Sequence, residues 1–155
     1  MNTLYFKILN FFKPWFLVDT RALGIYRIIL GLLCFLDIAR RWNVIEIFYI
    51  NGALIDPPST NSYYKYFTLL TTFTSSWEVH IFFAIGLIAS LSLMIGYKTK
   101  LSHIVCAIIL ISIHNRSVML ENAGDMFFNS MIIWTLFLPL GITFSIDSIK
   151  TSLFK

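Results

Sequence analysis

The sequence predicts an all-α integral membrane protein: a four-helix transmembrane bundle with an N-terminal amphipathic interfacial helix. Hydrophobic residues make up 57% of the 155 residues and charged residues only 13%, whereas a typical soluble domain has about 25% charged residues. The apolar residues are also grouped into four runs, each near the roughly 20 residues that a helix needs to cross the hydrocarbon. These two observations together favour a membrane-spanning chain over a soluble one.

The first predicted element is an interfacial amphipathic segment, residues 1–18. Lys7 and Lys13 interrupt its apolar residues, and helical spacing separates polar from aromatic side chains, as in helices that lie along a membrane surface. A secretory signal peptide needs an unbroken apolar stretch and a small-residue cleavage site. Because neither is present, we expect the mature protein to keep its N-terminus.

The transmembrane domain is predicted over residues 19–147, with a polar tail at 148–155. Its spanning helices are placed at about 23–39, 79–97, 101–120 and 126–144. Gly24 and Gly31 share one face of the first helix, which permits close contact with a neighbouring helix. Between the first two helices lies an aromatic loop, residues 40–77, of the kind found at membrane surfaces.

The placement of the basic residues predicts an orientation. With both termini in the cytoplasm, the inner side holds Lys7, Lys13, Arg21, Lys98, Lys100, Lys150 and Lys155. The outer side then holds Arg40, Arg41, Lys65 and Arg116. This inner excess follows the positive-inside rule, so we expect both termini to be cytoplasmic.

Several classes of partner are not expected. No run of lysine and arginine with interleaved aromatic residues is present, so nucleic acid is not an expected partner. Cys34 and Cys106 both lie within apolar runs and are interpreted as small packing residues. Without a CxxC, an HExxH or a closely spaced His/Cys cluster, no protein-built metal site is expected. The expected partners are the lipid bilayer and either another membrane subunit or further copies of this chain.

The candidate functional residues come mainly from a polar segment, residues 114–125, between two apolar runs. Loops between membrane helices need only a few turn residues, so polar groups concentrated at the membrane boundary indicate function. The candidate polar site consists of Arg27, His114, Asn115, Arg116, Glu121, Asn122 and Asp125. The pattern assigns no catalytic or cofactor-binding role to any of them.

Each of these residues also has a structural interpretation. A charge deep in a membrane helix costs about 2.5–3.5 kcal/mol on insertion scales, so Arg27 should find a partner. Two structural alternatives are an ion pair with Asp125 or Glu121 and a position at the inner headgroups. The functional alternative is a clamp for an anion or a polar headgroup. His114 is either a helix-end cap or a proton carrier at the membrane surface. Asp125 also fits the start of a helix, as its N-cap.

Several motifs follow one another in an order that resembles a known family. They are the arginine in the first helix, residues 48–57, the turn at 96–100, His114-Asn115-Arg116, Gly124-Asp125, and the Trp-x-x-x-Phe-Leu-Pro pattern at 134–139. In this order they resemble the HTTM family (horizontally transferred transmembrane domain), the bacterial relatives of vitamin K-dependent gamma-carboxylase. The resemblance extends from about residue 19 to 147 and is most specific over 114–141.

The resemblance implies a membrane-embedded helical bundle. The best-known member of the family carboxylates glutamate side chains with vitamin K hydroquinone, oxygen and carbon dioxide. Its base is thought to be a lysine on a later part of the chain, so the region matched here corresponds to the N-terminal half and the catalytic half is expected to be absent. Any implied cofactor is a quinone, on the resemblance alone.

Three functions remain open at this point. The first is an HTTM-like membrane protein that takes part in modification or maturation of a peptide or lipid-soluble substrate, whether or not it is itself an enzyme. The second is a non-catalytic membrane subunit or scaffold. The third is a component of a quinone redox system, since DoxX-type four-helix proteins share an arginine in helix one and a turn similar to residues 96–100.

Overall fold

The protein is helical throughout the part of the chain that the computed structural model describes. The model describes residues 19–50, 68–116 and 122–153, with no strand among them. The helices are α1 (Thr20–Arg41), α2 (Ile45–Phe48), α3 (Ser76–Ile95), α4 (Thr99–Arg116), α5 (Ala123–Thr135) and α6 (Ile146–Leu153), with 3-10 turns at Trp42–Val44 and Leu70–Thr72. The predicted interfacial segment, residues 1–18, lies outside the described residues.

Local sequence signals explain where the long helices begin and end. The Asp19 side chain accepts a hydrogen bond from the backbone N–H of Arg21 at the start of α1, as an N-cap does. Ser75 and Glu78 form a capping box before α3. That helix ends at Gly96, whose φ of 79° is the left-handed conformation that glycine adopts without steric cost.

The C-terminal part of the chain differs from the prediction. The predicted span at 126–144 is shorter as a helix, because α5 ends at Thr135 and turns follow. Pro139 has no N–H to continue a helix, and its ring disfavours helical geometry in the preceding residue. Residues 148–153, the described part of the predicted polar tail, belong to α6.

The long helices pack as neighbours in chain order. α1 lies against α3, α3 against α4, and α4 against α5. Trp42, just after α1, contacts His80 near the start of α3 edge-to-face, so α1 and α3 run antiparallel. A Cβ on Gly31 would lie only 2.8 Å from the backbone nitrogen of Met94, which confirms the close helix contact predicted at this glycine.

The interior is partly polar and the outer surface is largely apolar. The buried charged and imidazole side chains are Arg27, Asp37, Arg41, His103, His114, Arg116 and Asp125. Large apolar side chains instead face outward along every long helix, among them Ile25, Ile29, Leu36, Ile85, Ile88, Leu101, Ile108 and Phe127. Exposed apolar surface of this extent is unusual for a soluble monomer and is typical of a surface that contacts lipid or another chain.

Two helical segments are long and apolar enough to cross a membrane. The first is Thr20–Phe48, which includes α1 and α2, and the second is Ser76–Ile95. By length and composition both can span about 30 Å of hydrocarbon. α4 packs against α3, and α5 packs against α4.

Candidate functional site

A group of charged side chains lies near the end of α1. Arg40 and Arg41 follow Asp37 by three and four residues, so all three share one helix face. Arg40 Nη2 lies 2.6 Å from Asp37 Oδ1, and Arg41 Nε donates to Asp37 Oδ2 at 3.2 Å. Arg41 Nη1 also donates to the Tyr49 hydroxyl at 3.0 Å, which ties this group to the end of α2.

His114 brings α4 into the same group. Its side chain is fully buried, and Nε2 lies 3.0 Å from Asp37 Oδ2. On the other side of the ring, Nδ1 lies 2.8 Å from Asn129 Oδ1 on α5. Both ring nitrogens of His114 face an oxygen atom, which suits two N–H donors. When the Asn129 side-chain amide is rotated so that its NH₂ group faces Nδ1, one ring nitrogen accepts and the other donates. His114 therefore links three helices through its two ring nitrogens.

Asp125 closes the group from α5. Its Oδ1 lies 3.3 Å from Arg41 Nη2 and 3.4 Å from Arg40 Nη2. Its Oδ2 accepts from the backbone N–H of Asn122 at 3.3 Å, while the Asn122 side chain accepts from the N–H groups of Gly124 and Asp125. Asn122 is thus the N-cap, and Asp125 is the third residue of a capping box rather than the cap itself.

We call these residues the polar cluster: Asp37, Arg40, Arg41, Tyr49, His114, Asp125 and Asn129. Two arginines face two aspartates, so the charges of the cluster balance when His114 is neutral. Buried charges require such pairing, because an unpaired charge in a medium of low polarity is strongly unfavourable.

A cavity of about 400 Å³ opens between α1 and α5 beside the cluster. Its apolar wall is formed by Leu33, Leu36, Phe127, Phe128 and Met131, and its polar end by Asp37, Arg40 and Asp125. We call this cavity the α1–α5 groove. Its volume is within the range of about 300–1,000 Å³ found for small-molecule sites, which are likewise mostly apolar with a few polar groups.

The cluster also contains a set of atoms that could hold a metal ion. Ligand atoms of Asp37, His114 and Asp125 all lie within 4.8 Å of one another. The same carboxylates are paired with Arg40 and Arg41, whose positive charges disfavour a cation at this point. The donor set therefore fits an ion-pair network better than a metal centre.

Arg27 lies outside the cluster. It precedes Asp37 by ten residues on α1, which corresponds to about 15 Å along the helix axis. Its buried guanidinium donates from Nη2 to the carbonyl of Phe144 at 2.6 Å, and no ion pair with Asp125 forms. Glu121, the other predicted partner, lies outside the described residues.

Two further predicted residues, Asn115 and Arg116, follow His114 on α4. Arg116 is buried and donates from Nη2 to the backbone carbonyl of Ile50 at 3.0 Å, so it anchors the chain after α2. Asn115 lies between His114 and Arg116 on α4 and is partly buried. Of the predicted set, the structure thus brings His114 and Asp125 together, with Asn122 capping the helix that carries Asp125.

Residues outside the predicted set complete the cluster. The ion pairs among Asp37, Arg40 and Arg41 could have been predicted from the sequence, because an acid followed by arginines three and four residues later forms ion pairs on a helix. Asn129 follows Asp125 by four residues, which also places the two on one face. The side chain of Tyr49 had no comparable signal, because its contact with Arg41 depends on how the chain turns after α1.

A second polar contact lies at the opposite end of the helices. The backbone N–H groups of Lys98 and Thr99 donate to Asp147 at 3.0 and 2.8 Å, and the Thr99 hydroxyl also donates to it at 2.8 Å. Partial burial raises the pKa of Asp147, but these hydrogen bonds outweigh that effect, so its pKa is lower than usual. Asp147 therefore caps α4 from a distant part of the chain.

No family model, curated protein or solved structure matches this chain. The fold and the site therefore define its class directly: an all-helical protein with two helices of membrane-spanning length and a polar cluster beside an apolar groove.

Proposed function

We propose that this chain is an HTTM-like multi-pass membrane protein that holds a lipid-soluble molecule in the α1–α5 groove, next to the polar cluster. In this proposal α1, α3, α4 and α5 form a four-helix membrane bundle in a bacterial cytoplasmic membrane. The observation that supports the proposal most directly is the groove itself, whose walls are apolar and whose end is formed by Asp37, Arg40 and Asp125.

The chemistry of the cluster suits a role in modification of such a molecule. Asp37 is hydrogen-bonded to His114, which lies directly behind the groove. An imidazole oriented by a carboxylate is a common proton carrier. Asp37 lines the groove and contacts the ring, so it lies between His114 and the groove.

Co-purification tests the binding function. Leu36 lies in the groove wall and Ile29 lies on the same helix outside it, with 52% and 50% of their surface exposed. We expect a lipophilic molecule to co-purify with the wild type and with Ile29→Trp, and to be lost from Leu36→Trp, because the indole fills the groove. Mass spectrometry of organic extracts from detergent-purified protein measures this. Equal amounts in all three proteins would contradict the proposal.

A second candidate is a membrane subunit that completes its bundle with another chain. α5 has 13 residues, about 20 Å of helix, which is shorter than the hydrocarbon layer. Trp134 on α5 and Phe137 after it expose 74% and 79% of their surface, as expected of aromatic side chains that contact a partner or lipid. A partner retained through mild detergent extraction supports this function, and a stable, monodisperse monomer contradicts it.

A further inference from the structure

The donors and acceptors at the polar end of the α1–α5 groove specify the head of the molecule bound there. We propose that the groove binds a lipid whose head is an uncharged hydroxyl group. Arg40 donates a hydrogen bond to the hydroxyl oxygen, and Asp125 accepts a hydrogen bond from the hydroxyl group. This inference rests on the proposed function and names the ligand class of the same groove.

Arg40 supplies the donor. Its side chain is 59% exposed, and its contacts with Asp37 and Asp125 are made by Nη2. Its Nε and Nη1 donors make no hydrogen bond to the part of the chain that the structure describes. Since Arg40 also lines the groove, these donors are available to a ligand oxygen at the polar end.

Asp125 supplies the acceptor. It lines the groove, and its contacts with the two arginines and with the Asn122 N–H are all 3.3–3.4 Å long. Charge-assisted hydrogen bonds are normally about 2.7–2.9 Å long, so the carboxylate has acceptor capacity that its present partners do not fill. A hydroxyl group entering the groove can donate to it at the usual distance.

The charge balance of the cluster selects an uncharged head. An anionic head would lie next to the carboxylates of Asp37 and Asp125, and a cationic head would lie next to the guanidinium of Arg40. Like charges placed together at a binding site oppose association. A hydroxyl group avoids both repulsions, and it can donate and accept at once.

A competition experiment tests this ligand class. Full-length protein in lipid nanodiscs is photolabelled with a long-chain alcohol that carries a diazirine in its tail, and the labelled peptides are located by mass spectrometry. Hexadecanol, hexadecyl sulfate and hexadecyltrimethylammonium compete with the probe, since they share one tail and differ in head charge. Dioleoylglycerol is a fourth competitor, whose comparison with hexadecanol distinguishes a one-tailed from a two-tailed source of the hydroxyl.

We expect labelling on α1 and α5 beside the groove, absent in Leu36→Trp and retained in Ile29→Trp. At least one of the two hydroxyl compounds should compete about tenfold better than either charged compound. The binding free energies should differ by about one hydrogen bond to a charged group, which corresponds to roughly a factor of ten in affinity. In Asp125→Asn, which keeps the side-chain shape, hexadecyl sulfate should gain on hexadecanol because a repelling charge is lost.

The outcomes separate this inference from the proposed function. If hexadecyl sulfate or hexadecyltrimethylammonium competes better than both hydroxyl compounds in the wild type, the hydroxyl proposal fails while the lipid-binding groove remains. If no compound competes and labelling is the same in Leu36→Trp, both the inference and the proposed function fail.

Discussion

At the scale of single residues, Asp37 contacts three of the other six members of the polar cluster. Its two carboxylate oxygens contact Arg40, Arg41 and His114. The arginine side chains cannot lose their charge at any accessible pH. The charge balance of the cluster therefore depends more on the Asp37 carboxylate than on a residue that contacts only one partner.

We expect Asp37→Ala to destabilise the protein by about 1.5–3 kcal/mol, the usual size of a lost hydrogen bond to a charged group, because Arg41 keeps its ion pair with Asp125. Glu46→Ala is the matched control, because Glu46 is an exposed acid on α2 and exposed sites change stability by about 0.5 kcal/mol or less. Thermal unfolding in mild detergent measures both. An Asp37→Ala protein as stable as Glu46→Ala would show that the cluster adds little to stability.

At the scale of elements, the start of α4 depends on a residue that is distant in sequence. Lys98 precedes the helix with a positive φ of 44°, and the N–H groups of Lys98 and Thr99 are both satisfied by Asp147. The first N–H groups of any helix need such an acceptor. Asp147 therefore joins the first turn of α6 to the turn between α3 and α4.

We expect Asp147→Asn to lower stability by about 1 kcal/mol at neutral pH, the size of a typical capping effect, reduced because the site is partly exposed. The folded pKa of Asp147 lies below its ordinary value of 3.8. Its stabilisation is therefore fully present above that value and is lost as the pH falls through the folded pKa.

Thermal unfolding of the wild type and of Asp147→Asn between neutral pH and the acid limit of the detergent checks this. The difference between the two proteins should shrink as the pH falls below 3.8. A difference that stays constant over the whole range would mean that the charge of Asp147 is not what stabilises the turn.

At the scale of the whole molecule, the polar cluster and the Asp147 contact lie at opposite ends of α1. The cluster lies at the end with Arg41, while Arg27 and the Gly96 turn lie towards its start, since a Cβ on Gly96 would overlap Arg27 Nη1. A membrane crossed by α1 therefore separates the two sites. The orientation predicted from the basic residues places the Asp147 contact on the cytoplasmic side and the polar cluster on the outer side.

Cysteine labelling checks that orientation. Cys34 and Cys106 are buried free thiols, so the native chain should give little background with a membrane-impermeant maleimide. We expect Asn43→Cys, near the cluster, to react in intact spheroplasts, and Tyr97→Cys, in the opposite turn, to react only after permeabilisation. The reverse pattern would overturn the prediction that both termini are cytoplasmic.

Local patterns in the sequence account for much of the helical structure. The apolar runs located α1, α3 and α4, whereas the run at 126–144 extended beyond α5, which ends at Thr135. Such features depend on hydrophobicity and backbone chemistry within a few residues. The polar cluster was only partly accessible in this way, because His114 and Asp125 are distant in sequence from Asp37 and meet it through packing. One of the alternatives for Arg27, an ion pair with Asp125, does not form, because Arg27 lies about 15 Å along α1 from the cluster that contains Asp125.

The contact between Arg27 and Phe144 has a consequence for the synthesis of the protein. The two residues are 117 positions apart, and ribosomes add about 5–20 residues per second, so roughly 6 to 23 s pass before the acceptor exists. During that interval the nascent first helix contains a guanidinium whose final partner has not been made. Water, lipid headgroups or the insertion machinery must solvate Arg27 until the last part of the chain arrives.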